Sequence, residues 1–112
     1  MRNFIQFVLF TILLFIICLQ QPVLADTVDG AKIFSANCAG CHINGGNIIR
    51  RGKNLKIKAL KKYKMDSVEA IYNIVTYGKN NMSAYKDRLT ESEIQAVSIY
   101  VLKQAENNWR KQ

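Results

Sequence analysis

The hydrophobic and polar positions fall into blocks of different rhythm. The first has no period: Phe4 to Leu19 is apolar except for Gln6 and Thr11, and Arg2 lies in a short polar start before it. "VLA", Val23 to Ala25, follows with small side chains at the usual peptidase spacing. This is the layout of an export signal, so residues 1–25 are expected to be removed and residues 26–112 to form one domain. An uncleaved anchor is the alternative, although the run is short for a membrane span. Cys18 lies inside the run, without the small residues that precede a lipoprotein cysteine, and is expected to be discarded with it.

The later blocks have helical rhythm. Val28, Ala31, Phe34 and Ala36 to Cys38 make a first apolar stripe, with Asp26 and Thr27 as caps. Val68, Ile71, Ile74 and Val75 line a second helix, started by Asp66 with Glu69 three residues on and stopped by Gly78. A third begins at Thr90 with Glu93 and carries Ile94, Val97 and Val101 towards Asn107. A shorter helical turn is expected around Leu55 to Tyr63. No segment alternates as a half-buried strand does. Beyond residue 25 there is no proline to interrupt a helix. The pattern predicts an all-α domain with long loops between the first and second and between the second and third of these helices.

Composition changes this picture in one respect. Residues 26–112 are few for a self-sufficient core, and a chain of this size commonly closes around a metal, a disulfide or a cofactor. Charge adds a second feature. The formal charge is +8 at pH 7. Without Arg2, fifteen basic residues face eight acidic ones, and eight of the fifteen crowd into "RRGKNLKIKALKKYK", Arg50 to Lys64. An exported protein seldom meets nucleic acid, so this run is either a solvated face or a docking patch for an acidic protein.

The chemistry lies in "CAGCH", Cys38 to His42. Two cysteines three apart can each add to one vinyl group of a haem, and the adjoining histidine then lies under the iron. A thioredoxin-like pair would need a strand before the cysteines, where the pattern here is helical. Zinc would need a fourth ligand after Cys38, Cys41 and His42 exhaust the cysteine and histidine of residues 26–112. A disulfide would close too short a loop to constrain much of the unfolded chain, and would leave His42 unexplained. Covalent haem satisfies all three residues and fills the centre of a small helical domain.

With no second histidine, the sixth iron position falls to methionine, lysine, tyrosine or an open site. Met82 follows the helix-ending Gly78 and lies in a loop, free to approach from the side opposite His42. Met65, beside the start of the second helix, is the alternative.

From "GAKIFSANCAGCH" through "YGKNNMSAYKDRL" to Trp109, the chain resembles the cytochrome c6 family (soluble cytochrome c553) of class I c-type cytochromes. The resemblance implies a class I cytochrome c fold, three to four helices wrapped around one covalently bound haem c. It implies an electron carrier and not an enzyme: a monomer in the thylakoid lumen of a chloroplast or cyanobacterium, taking electrons from cytochrome f of the cytochrome b6f complex to photosystem I. A bacterial periplasm is the alternative location. Cys38 and Cys41 would be the thioether links, and His42 and Met82 the axial ligands. Gly30, Phe34 and Tyr100 match positions where the first and last helices cross, and Arg88 matches an arginine near the docking surface.

Three departures matter. Ser83 and Tyr85 stand where the family usually has proline and phenylalanine, and Lys86 and Asp87 replace a pair of glycines. Ile74 stands where a glutamine usually lies beside the haem. An aliphatic side chain cannot act as an amide dipole there, so the expected midpoint potential is below that of ordinary cytochrome c6. The other readings are therefore a lower-potential c6-like carrier with another acceptor or a regulatory role, and a haem sensor with an open sixth position.

Overall fold

The structure, a computed structural model, describes residues 1–19 and 27–110. The proposed cleavage site and Asp26 lie outside the described residues. Helix α1, Arg2–Cys18, is apolar from Phe4 onward except for Gln6 and Thr11 and buries none of its residues. It packs against no other described element. Among the described residues no helix is long and apolar enough to cross a membrane.

Five helices follow: α2 (Gly30–Asn37), the single turn α3 (Ala39–His42), α4 (Ile57–Lys62), α5 (Val68–Tyr77) and α6 (Glu91–Glu106). Two of their starts differ from the expectation. The cap of α2 is Asp29, whose carboxylate accepts from the Ala31 and Lys32 amides at 3.0 and 3.4 Å. Thr27 is exposed and outside the helix. The cap of α5 is Ser67 in place of Asp66: its backbone is extended and its hydroxyl accepts from the Ala70 amide. Each cap satisfies an otherwise orphaned amide and is worth about 1 kcal/mol. Thr90 and Glu93 form the expected reciprocal box at the head of α6. The turn expected around Leu55 to Tyr63 is α4, and its C-terminal neighbour Tyr63 ends it.

The core is built on α6. Ile94, Val97 and Ser98 on this helix are its largest fully buried side chains. Phe34 of α2, Leu60 of α4, and Ile71 and Val75 of α5 join them, with Val101 and Ala105 extending the α6 stripe. Ser98 stays in this apolar setting because its hydroxyl donates to the Ile94 carbonyl one turn back.

Helices α2 and α6 cross at Gly30. A side chain there would run into the Ala96 carbonyl and the Tyr100 Cβ. The absent Cβ lets the two backbones meet, at the crossing the family resemblance implied. Phe34, Tyr100 and Trp109 then pack as a cluster, with ring centroids 5.1 to 6.2 Å apart. No strand occurs among the described residues; a single bridge pairs Lys79 with Met82.

Candidate functional site

The Cys38 to His42 segment is shaped by the end of α2. The Cys38 amide still donates to Phe34, and the chain then makes one further turn, with the Cys41 and His42 amides both donating to the Cys38 carbonyl. Cys38 and His42 are four apart on this turn, a spacing that puts side chains on one face. No disulfide joins the two cysteines, of which Cys38 is half-buried and Cys41 exposed. Burial pushes the Cys38 thiol up to about 11. A redox nucleophile needs the opposite shift, so this environment argues against a thioredoxin-like pair. Among the described residues no three His, Cys, Asp or Glu side chains group to hold a metal ion, which leaves zinc without its ligand set.

His42 is oriented by the backbone. Its Nδ1 donates to the Gly46 carbonyl at 2.8 Å. A carbonyl only accepts, so the hydrogen lies on Nδ1 and the lone pair on Nε2. The carbonyl reaches that position because the chain turns sharply after His42, with Asn44 and Gly45 in the left-handed region. Trp109 covers Gly45 and donates its indole hydrogen to the Leu55 carbonyl at 2.9 Å. Sequence reasoning did not find Gly46, since its contribution is a main-chain oxygen and carries no residue signature.

Met82 is held by a folded-back loop. Gly78 ends α5 with a φ of 68°, and the chain then returns over it, so that a side chain at 78 would strike the Met82 carbonyl and the Ala84 amide. Lys79 and Met82 exchange both backbone hydrogen bonds at 3.0 Å. The Tyr85 and Lys86 amides then donate to Val75 and Thr76 of α5, and the Tyr85 hydroxyl donates to the Asn37 carbonyl at 2.9 Å. Arg88 lies over the Tyr85 ring, 4.6 Å from its centroid.

One cavity of about 650 Å³ brings these parts together: Cys38, Cys41, His42 and Met82 all line it. Its apolar walls come from Phe34, Leu60, Ile71, Ile74, Val75, Val97 and Val101, and Met65 also reaches it. Arg50 and Lys53 stand at its exposed margin. The volume is that of a site that encloses a sizeable ligand. Thiols, an imidazole with a bare nitrogen and a thioether around apolar walls suit haem, whose ring is apolar and whose iron takes nitrogen and sulfur.

An all-helical fold around such a cavity defines a class I c-type cytochrome, a monohaem electron carrier. The family model described as cytochrome c oxidase, cbb3-type, subunit III matches residues 25–101. A cytochrome c6-like protein of Nostoc sp. (strain PCC 7120) is 64% identical over 111 residues, covering 98% of this chain and 100% of that one. The cytochrome c6 of the same organism is 48% identical over 111 residues, with the same coverage. The crystal structure of cytochrome c6C from Synechococcus sp. PCC 7002 superposes with a TM-score of 0.68 at 65% identity, covering 70% of this chain and 95% of that one. The chain belongs to the cytochrome c6 family. Membership implies haem c as the cofactor and redox proteins as partners.

Proposed function

We propose that Cys38 and Cys41 bind one haem c through thioether links, with His42 and Met82 as the axial ligands. The observation that carries this is the single cavity lined by all four residues, with His42 Nδ1 already engaged by Gly46. The haem supplies a one-electron couple. The chain's own residues keep the imidazole in one tautomer and one orientation, keep water from an apolar cavity, and hold Met82 in a twice-bonded turn. Two protein ligands leave no coordination position for a substrate, which suits an electron carrier and argues against a haem sensor. Residues 1–25, which include all of α1, are the leader, removed on export to a thylakoid lumen.

In photosynthetic electron transport, the first route runs from cytochrome f of the b6f complex to photosystem I, as in cytochrome c6. A second route, with a lower potential and another acceptor, is favoured by a specific observation: identity is 64% to the c6-like protein and 48% to the cytochrome c6 of one organism. Ile74 on the cavity wall agrees with it.

The absorption spectrum of the reduced holoprotein, compared with Met82→Ala, tests the ligands. The variant is expected to keep its haem and lose the low-spin six-coordinate spectrum; an unchanged spectrum would remove Met82 from the site and turn attention to Met65. Flash-induced reduction of photosystem I by the purified protein separates the two routes.

A further inference from the structure

A second hollow of about 370 Å³ adjoins the haem cavity and shares Asn47 and Asn54 with it. Ile43 and Ile48 line the hollow and are 60% and 62% exposed. Two exposed aliphatic side chains that line one hollow are more than the single scattered apolar residue that a surface ordinarily carries. Arg51 and Lys56 also line it, and both are exposed. No aspartate or glutamate occurs between Asp29 and Asp66, so this stretch presents its cations without any carboxylate of its own. The positive surface continues along α4 through Lys58, Lys61 and Lys62, all exposed.

A hollow lined by two aliphatic side chains and two cations is complementary to a narrow kind of ligand. Carboxylates alone would leave Ile43 and Ile48 wet, and an apolar group alone would leave Arg51 and Lys56 unpaired. A concavity of this size takes one or two side chains, as at the anchor position of a protein interface.

We propose that the hollow seats a protein partner through an acidic segment, one apolar side chain of which packs between Ile43 and Ile48 while its carboxylates meet Arg51 and Lys56. The inference rests on the chain being an electron carrier with protein partners. Gly46 forms part of the hollow, and its carbonyl holds His42. A partner seated there lies against the residue that is one hydrogen bond and one imidazole from the iron. Docking at this point therefore brings the partner to the back of the proximal ligand and away from the Met82 loop.

The test titrates isotopically labelled, reduced holoprotein with a capped pentapeptide, Asp-Glu-Phe-Glu-Asp, and follows amide and methyl shifts. Perturbations are expected at Ile43, Ile48 and Gly46, with weaker binding when glycine replaces the peptide's phenylalanine. Arg51→Glu with Lys56→Glu is expected to weaken binding about tenfold or more, since reversal turns attraction into repulsion. Ile48→Ser should weaken it without any change of charge, and Lys103→Glu on α6 should leave it unchanged. Perturbations centred on residues 77–88, equal binding of the glycine peptide, indifference to charge reversal or no binding would each overturn the proposal. So would the same shifts on adding anionic phospholipid vesicles with none from the peptide. A wild-type spectrum lacking low-spin His and Met ligation would fail the haem assignment, whereas a peptide map elsewhere on a protein with that spectrum fails this inference alone.

Discussion

Tyr85 and Asn37 are joined by a hydrogen bond from the tyrosine hydroxyl to the asparagine main-chain carbonyl, at 2.9 Å and across 48 residues of sequence. It ties the loop that carries Met82 to the last residue of α2, next to Cys38. Where the family usually stiffens this loop with a proline after the methionine, this chain has Ser83. The phenolic hydroxyl replaces a local backbone restraint with a tether to the other side of the cavity. Tyr85→Phe keeps the ring and removes only the tether, at a cost of about 1 kcal/mol. The expected outcome is a small loss of stability in denaturant and faster displacement of Met82 by added imidazole. Unchanged displacement kinetics would show that the backbone bonds of residues 79 and 82 hold the loop unaided.

Gly30 and Gly40 make a matched pair. Gly30 faces the Ala96 backbone with no room for a methyl group, whereas nothing lies within 4 Å of a Cβ at Gly40. Gly30→Ala must push α2 from α6 and is expected to cost about 1–3 kcal/mol. Each kcal/mol should lower the melting temperature by about 4–8 °C in a domain of this size. Gly40→Ala, in a helical turn with open space, should be neutral or slightly stabilising. Thermal melts of the two holoproteins check the contrast, and equal melts would mean that the crossing adjusts freely.

Trp109 serves two purposes, filling the aromatic cluster with Phe34 and Tyr100 and donating to the Leu55 carbonyl. Substitution separates them. Trp109→Phe retains most of the packing and leaves the Leu55 carbonyl without its donor, for about 1–3 kcal/mol. Trp109→Ala also opens a cavity beneath α6, for about 3–5 kcal/mol. Equilibrium unfolding should rank wild type, Phe and Ala in that order; a reversed order of the two variants would contradict the packing role.

Ile74→Gln puts an amide on the cavity wall. Where its N–H faces the electron-rich reduced centre, it favours reduction. A hydrogen bond worth about 1 kcal/mol corresponds to about 40 mV for a one-electron couple. A redox titration should therefore find the variant tens of millivolts above the wild type. Coincident titrations would show that Ile74 serves packing alone.

Local features of this fold were legible in the chain, and distant ones were not. Thr90 with Glu93, and Gly78 after an apolar stripe, act within one turn of the backbone, so their pattern survives in the sequence. Asp66 and Ser67 stand side by side, and either could cap α5; which of them takes the extended backbone depends on how the preceding loop is packed. The turn at Ala39 is too short to show a period. At the site, Cys38, Cys41 and His42 fall within five residues and declare their chemistry, while Met82 was marked out only by its place in a loop after the helix-ending Gly78 and by the family resemblance. The bonds from Tyr85 to Asn37 and from Trp109 to Leu55 end on main-chain oxygens 48 and 54 residues away, and no side-chain pattern can announce such an acceptor.

The Trp109 contact also has a consequence in time. Ribosomes deliver the chain from its N-terminus, and Gly45 and Leu55 cannot be covered until residue 109 has emerged. Every newly made molecule therefore passes through an interval in which Cys38, Cys41 and His42 are present and the wall behind them is unfinished. That interval closes only when the C-terminal segment folds back and Trp109 settles over Gly45 and onto the Leu55 carbonyl.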